Sequence, residues 1–142
     1  IAADQVGVLD TADGPRMLTK QPTLEGAVEQ LLAMSGTTHE LVNGVVVLDT
    51  RSGRSVQGVD RQAVVMRDFG RDEASEYVAR FEPWDSSGSY RLEDQDAMAP
   101  IEPFVVEVRG EDDSGVLGLP LPLLRRLLSA LSDDVRTAPP SP

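Results

Sequence analysis

Three charged side chains stand where charge could do chemistry. Asp4 interrupts the apolar opening run AADQVGVLD, Lys20 precedes Pro22 and a helix start, and Glu93 lies in SYRLEDQD. Asp4 admits two readings. It is a strand-end carboxylate capping a neighbouring turn, or it faces a cleft, where it could hold a divalent metal or accept a proton from water. Lys20 is a solvated surface charge, or a phosphate contact, because an ammonium and the free N–H groups of a helix start point the same way. By pattern alone the acidic run around Glu93 is a solvated loop.

Other chemistries are excluded or unsupported. His39 is the only histidine, so no histidine metal cluster can form, and it reads as strand-edge structure. Ser86, Ser87 and Ser89 read as loop hydroxyls. No serine has the surroundings of a nucleophile elbow, and neither a P-loop nor a dinucleotide fingerprint is present. The 142 residues include no cysteine, which removes disulfides, thiolate catalysis and cysteine-bound zinc and fits the cytosol. The formal net charge of −11 opposes binding to duplex nucleic acid or an anionic membrane. It leaves room for a small phosphorylated ligand, since local cations or a metal can reverse the field in one cleft. No apolar run approaches membrane-spanning length and no signal peptide is visible.

The elements that must position these residues follow from periodicity. IAADQVGVLD reads as a strand, DTADGPR as a turn and RMLTK as a short returning strand. In PTLEGAVEQLLAM, Leu24, Ala27, Val28, Leu31 and Leu32 share one helical face, with Thr23 as N-cap and Glu25 suiting the helix dipole. HELVNGVVVLDT reads as a central strand, RSGRSVQGVD as a flexible loop and RQAVVMRDF as another strand. RDEASEYVARF is an amphipathic helix with Ala74, Tyr77 and Val78 inward. EPWDSSGSY is a loop, EPFVVEVRG a strand and EDDSG a tight turn. In the C-terminal helix Leu121, Leu124, Leu128 and Leu131 form the expected stripe, with Leu127 beside it and Pro120 at the helix start. Strands and helices interleave, so the class is α/β or α+β. One domain over residues 1–134 is expected, followed by a disordered tail, 135–142, rich in proline. The chain starts with Ile1 inside a strand, which points to a missing upstream part. Residue spacing alone stops at a soluble α/β domain, with anion binding left open.

Four segments, in order, resemble the Maf family of nucleoside triphosphate pyrophosphatases. AADQVGVLD is similar to its Ala-Asp-Thr/Gln strand, and LTKQPTLEGAVEQLLAMSGTTHEL to its Gly-Lys-Pro turn, helix and Ser-Gly-x-x-His segment. EASEYVARFEPWDSSGSYRLE is similar to the stretch ending Glu-Pro-x-Asp-x-Ala-Gly-x-Tyr, and GEDDSGVLGLPLPLLRRLL to the closing Gly-Leu-Pro-Leu helix. Together they cover most of residues 2–131. The resemblance implies an α/β fold, an elongated mixed β-sheet flanked by helices with a cleft between two lobes, here lacking its N-terminal segment. It implies hydrolysis between the α and β phosphates of a nucleotide with Mg2+ or Mn2+.

Under this resemblance Asp4 is the base for water or a metal ligand, and Lys20 contacts phosphate. Gln5 and Glu93 bind substrate and help choose the base. With Ser89 and Tyr90 they bring the chain nearer the 7-methyl-GTP subgroup than the dTTP/UTP subgroup. Family members often form dimers, which adds a second copy as a candidate partner, and the expected location is the cytoplasm. The family's Ser-x-Ser-x-Arg-Arg phosphate loop is absent. Ser86 and Ser87 replace lysine or cysteine and alanine, Gln21 stands where proline is usual, and Asp94 replaces glycine. These departures keep open a non-catalytic or truncated relative that binds nucleotides or regulates cell division.

Overall fold

The computed structural model describes residues 1–137, with side chains described through Ser132. Five strands form one sheet in the order β2-β1-β3-β4-β5, and all four pairings are antiparallel. β1 (Ala2–Thr11) and β2 (Gly14–Leu18) make the expected hairpin. α1 (Leu24–Met34) follows, its first turn capped by Thr23 Oγ1, which accepts from the Gly26 N–H. Then come β3 (Thr38–Leu48), β4 (Ser55–Met66), α2 (Arg71–Phe81), β5 (Val105–Arg109) and α3 (Leu121–Thr137). Flanking helices on one sheet satisfy the α/β expectation.

β3 and β4 pair along their whole length, from Thr38 opposite Val65 to Leu48 opposite Ser55. Ser55–Asp60 is therefore strand, not the flexible loop expected of RSGRSVQGVD. Its polar residues hide a period-two pattern: Val56, Gly58 and Asp60 are half-buried and alternate with exposed neighbours. Gly58 is needed for space, because a Cβ there would come within 2.7 Å of a Leu123 methyl group.

Along β3 the inward positions His39, Leu41, Asn43, Val45 and Val47 are all buried, as the pleat requires. They serve two apolar clusters at the two ends of the strand. Leu41 joins the main core with Val28, Leu31, Met34, Val64, Tyr77 and Phe104 beneath α1 and α2. Val45 and Val47 pack with Leu123 and Leu127 of α3. Ala74, Tyr77 and Val78 are the buried face of α2, as their spacing predicts.

The phase of α3 differs from the expected stripe. Leu123 and Leu127 are buried and Leu124 and Leu131 are partly buried, whereas Leu121 and Leu128 are exposed. Pro120 is buried, so the contact face starts one residue earlier than a stripe counted from Leu121. Five of the first eight residues of the helix are leucine, so periodicity alone cannot fix which of them face inward. α3 runs to Thr137, past the expected domain end at 134. The rest of the expected tail, 138–142, lies outside the described residues.

Leu127→Ala should lower stability by about 2–4 kcal/mol, since it removes buried methyl groups and leaves a cavity. Leu128 is 43% exposed, and Leu128→Ala should cost less than about 1 kcal/mol. Urea denaturation of the two variants checks the helix phase. Equal losses would contradict it.

Candidate functional site

β2 covers only the second half of β1. Gly7 through Thr11 pair with β2, while Ala2 through Val6 pair only with β3. The first half of β1 therefore presents an open edge, and a cleft of about 280 Å³ lies against it. That volume is at the small end of ligand pockets. Asp4, Gln5 and Gly7 contribute from β1, the loop Asp85–Glu93 forms one wall, and Val116 and Leu117 form another. Asp4, Gln5 and Glu93 thus meet in one cleft, although the chain separates them widely. Asp4 is exposed, and its Oδ1 accepts the Gln5 backbone N–H at 2.9 Å. Glu93 is exposed in a 3-10 turn over Leu92–Ala97.

Lys20 is exposed and is not among the residues that line the cleft. It sits two residues beyond Leu18, whose partner is Gly7, so it leaves the sheet beside the open edge of β1. Its backbone neighbours are anchored from α1. The fully buried Gln30 accepts the Thr19 N–H at 3.2 Å and donates to Thr19 O at 2.9 Å. The same amide nitrogen reaches Ser87 O at 3.0 Å and Ser89 Oγ at 2.8 Å. One buried side chain thus ties the Lys20 segment to the cleft loop. It also holds Ser89, which is buried and has φ 58, a left-handed conformation that costs a non-glycine residue about 1–3 kcal/mol.

The base of the loop is fixed by His39. This residue is central rather than at a strand edge, because β3 lies between β1 and β4. Its Nε2 is 2.8 Å from the Tyr90 hydroxyl, and its Nδ1 has no hydrogen-bond partner. Burial pushes the imidazole down to about 4 and raises the Tyr90 phenol above its usual range. Both groups are neutral near pH 7, and the contact between them fixes the base of the loop.

Arg91 is the one cation among the residues lining the cleft. Its guanidinium lies 3.4 Å from Asp85 and 3.6 Å from Asp94, and donates to Phe81 O and Glu82 O. It closes the loop onto α2 and carries little net positive field into the cleft. Sequence patterning singles out neither Arg91, Gln30 nor Asn43. The signals are present, however: Gln30 lies on the apolar arc of α1, and Asn43 breaks an inward run of β3.

The donor set bears on a metal. Among the described residues no group of three or more histidine, aspartate or glutamate side chains could hold an ion. A Mg2+ site built from one or two carboxylates and substrate phosphates needs no such cage. Asp4 at the open edge fits that kind of site. No helix among the described residues is long and apolar enough to cross a membrane.

Comparison with known proteins gives a consistent set of relatives. The profile of the family described as Maf-like protein matches residues 1–131. A dTTP/UTP pyrophosphatase of Dictyoglomus thermophilum is 32% identical over 92% of this chain and 63% of its own. A 7-methyl-GTP pyrophosphatase of Syntrophotalea carbinolica is 33% identical over 85% of this chain and 57% of its own. A nucleoside triphosphate pyrophosphatase of Streptomyces coelicolor is 38% identical over 90% and 58%. The chain therefore spans about 57–63% of the length of these relatives.

Gln30→Leu keeps the volume but strands the Thr19 and Ser87 carbonyls and the Ser89 hydroxyl. It should cost about 1–3 kcal/mol in chemical denaturation. His39 has a folded pKa below its unfolded value, so the folded state binds fewer protons between about pH 4 and 6.5. Its contribution is therefore full above pH 6.5 and is lost as the pH falls through 4. His39→Gln should flatten this part of the stability profile. A wild-type profile that matches the variant's from pH 7 to 4 would refute the assignment.

Proposed function

The chain belongs to the Maf family, and we propose that it is the part of a nucleoside triphosphate pyrophosphatase that carries the water-activating carboxylate and the base-reading wall. The observation that supports this reading best is the meeting of Asp4 and Glu93 in one cleft at an open strand edge. In the proposed reaction, water attacks the α-phosphorus and its oxygen forms the new bond. The bond from the α-phosphorus to the α–β bridging oxygen breaks, and pyrophosphate leaves. The Asp4 carboxylate takes the proton from water, as a positioned general base does. Lys20, on its flexible stem beside the cleft, binds the phosphates. Little covalent chemistry is asked of the protein, so orientation carries most of the effect.

A divalent cation, Mg2+ or Mn2+, would be held by Asp4 together with the triphosphate, where it neutralises phosphate charge. The cleft supports this need. Asp4, Asp85 and Glu93 line it, and its single guanidinium is engaged by Asp85 and Asp94. A polyanion requires additional positive charge at such a site.

For the base, 7-methyl-GTP is the proposed substrate. The Glu93 carboxylate suits a cationic methylated purine and can accept from ring N–H groups. Relatives carry both the 7-methyl-GTP and the dTTP/UTP names, so the two pyrimidine triphosphates are the competing substrates. A cytoplasmic location suits any of these nucleotides, and dimerisation, as in other family members, remains part of the proposal. The departures from the family pattern at Ser86, Ser87 and Asp94 favour the second reading, a relative that binds nucleotide without hydrolysing it.

Pyrophosphate release from 7-methyl-GTP, GTP, dTTP and UTP, with Mg2+ or Mn2+, tests the reading on the full-length gene product. 7-methyl-GTP should be turned over fastest, and no turnover of any of the four would reject the enzyme. Asp4→Asn should lower kcat by about a hundredfold or more with unchanged melting. An unaltered rate would remove Asp4 from the mechanism.

A further inference from the structure

Lys20 serves a phosphate only if the chain around it is held still. Residues 19–23 lie in neither strand nor helix, between Leu18 at the end of β2 and Leu24 at the start of α1. Two carboxamides hold this stretch instead. Gln30 Oε1 accepts the Thr19 N–H at 3.2 Å and Gln21 Nε2 at 3.3 Å. Gln21 Nε2 also donates to Thr19 Oγ1 at 3.0 Å. Both chain neighbours of Lys20 therefore end on the one buried amide.

α1 makes room for this clamp. Gly26 stands in its first turn, where glycine weakens a helix relative to alanine. A Cβ there would come within 2.8 Å of Gln21 Oε1 and 3.0 Å of Thr23 Oγ1. Gly26 thus admits both Gln21 and the Thr23 cap. Proline, usual in the family where Gln21 stands, has no side-chain amide to make either Gln21 bond, so this arm of the clamp belongs to this chain.

The other end of Gln30 faces the cleft loop. Its Nε2 donates to Ser87 O at 3.0 Å and to Ser89 Oγ at 2.8 Å, and Ser87 lines the cleft with Tyr90 and Glu93. The amide therefore spans from the Lys20 segment to a wall of the cleft. At 1% exposure, water cannot take the place of its partners, so a shift of either segment leaves polar groups unpaired. A lysine gives up side-chain freedom when it binds an anion. A backbone already held spares it the further cost of ordering its neighbours at the same moment.

We propose that Gln30 is a positioning residue for phosphate binding. With Gln21 it holds Lys20 at a fixed place against the cleft loop, so that the ammonium and the loop engage one ligand together. This rests on the nucleotide reading above and adds the residues that make its lysine effective.

The test is a double-mutant cycle between Lys20 and Gln30 on the full-length gene product. It is read by calorimetric binding, with Mg2+, of inorganic tripolyphosphate and of the α,β-methylene analogues of 7-methyl-GTP and UTP. Lys20→Ala should weaken tripolyphosphate and the better-bound analogue about tenfold. Gln30→Met keeps the volume and removes the hydrogen bonds. In that background Lys20→Ala should cost less than about a further twofold, because the ammonium has already lost its place. A purely structural Gln30 would lower the melting temperature and leave the lysine effect whole. Gln21→Met alters a half-buried side chain and takes over if Gln30→Met does not fold; it should shrink the lysine effect to about threefold. An undiminished lysine effect in the folded variant would overturn the proposal and leave the nucleotide reading standing. So would a Lys20→Ala protein that binds like the parent, since no contact would be left to position. Tripolyphosphate binding with this coupling, but no binding of either analogue, would sustain the clamp and reject the nucleotide reading. Failure of the parent to bind all three ligands would reject both.

Discussion

A buried carboxamide on α1 governs how the cleft is assembled. Gln30 has one N–H2 group and one carbonyl, and both ends are used. It holds Thr19 by its N–H and its carbonyl, and it holds the cleft loop at Ser87 and Ser89. Burying an amide is costly unless it is hydrogen-bonded. Once these partners are in place, the same cost enforces a single arrangement, because no solvent can replace them. The left-handed backbone at Ser89 and the exit of the chain toward Lys20 depend on that one side chain.

The second constraint is the length of β3. Eleven residues span the distance from the main core to the α3 cluster, and the strand cannot be apolar throughout and still carry a site. Asn43 marks the change between clusters. Its cross-strand neighbours on β1 and β4, Gln5 and Asp60, are also polar, and Asn43 and Gln62 both donate to Asp60 Oδ2. This rung satisfies itself, and it offers a docking surface to a backbone stripped of side chains at Gly115. Networks of this kind specify one arrangement when nearly every member is paired. Here the unpaired exception is Gln62 Oε1, which lies against Gly110 where a Cβ would come within 1.7 Å.

Charge gives the site its remaining character. The carboxylates along the cleft outnumber its one guanidinium, and that guanidinium is neutralised on the loop itself. At an effective dielectric constant of about 20, each like-charge pair 4 Å apart costs about 4 kcal/mol. Bringing a polyphosphate to Asp4 therefore calls for cations between them. This ties the proposed metal to the proposed ligand: each makes the other's presence favourable, and neither requires a preformed cage of protein ligands.

Much of the architecture is legible in the residues alone. The β1–β2 hairpin follows from Asp13-Gly14-Pro15, α1 from its Thr23 cap and apolar period, and α2 from Ala74, Tyr77 and Val78. Asp4 could be named from its segment because a carboxylate interrupts an apolar strand, whereas Gln5 and Glu93 are named only through the resemblance to the Maf family. Local signals failed where several solutions were equally good. Leucine-rich α3 has several apolar faces, and only Gly58 opening a space for Leu123 selects one. Ser55–Asp60 looks like a loop until β3 supplies six partners, Asn43 through Leu48. His39 is polar enough for an edge, and only its neighbours bury it. The amide roles of Gln30, Gln5 and Asn43 were hidden for the same reason. A carboxamide's function is set by which donors and acceptors surround it, and those arrive from positions far away in the chain, so folding alone decides them.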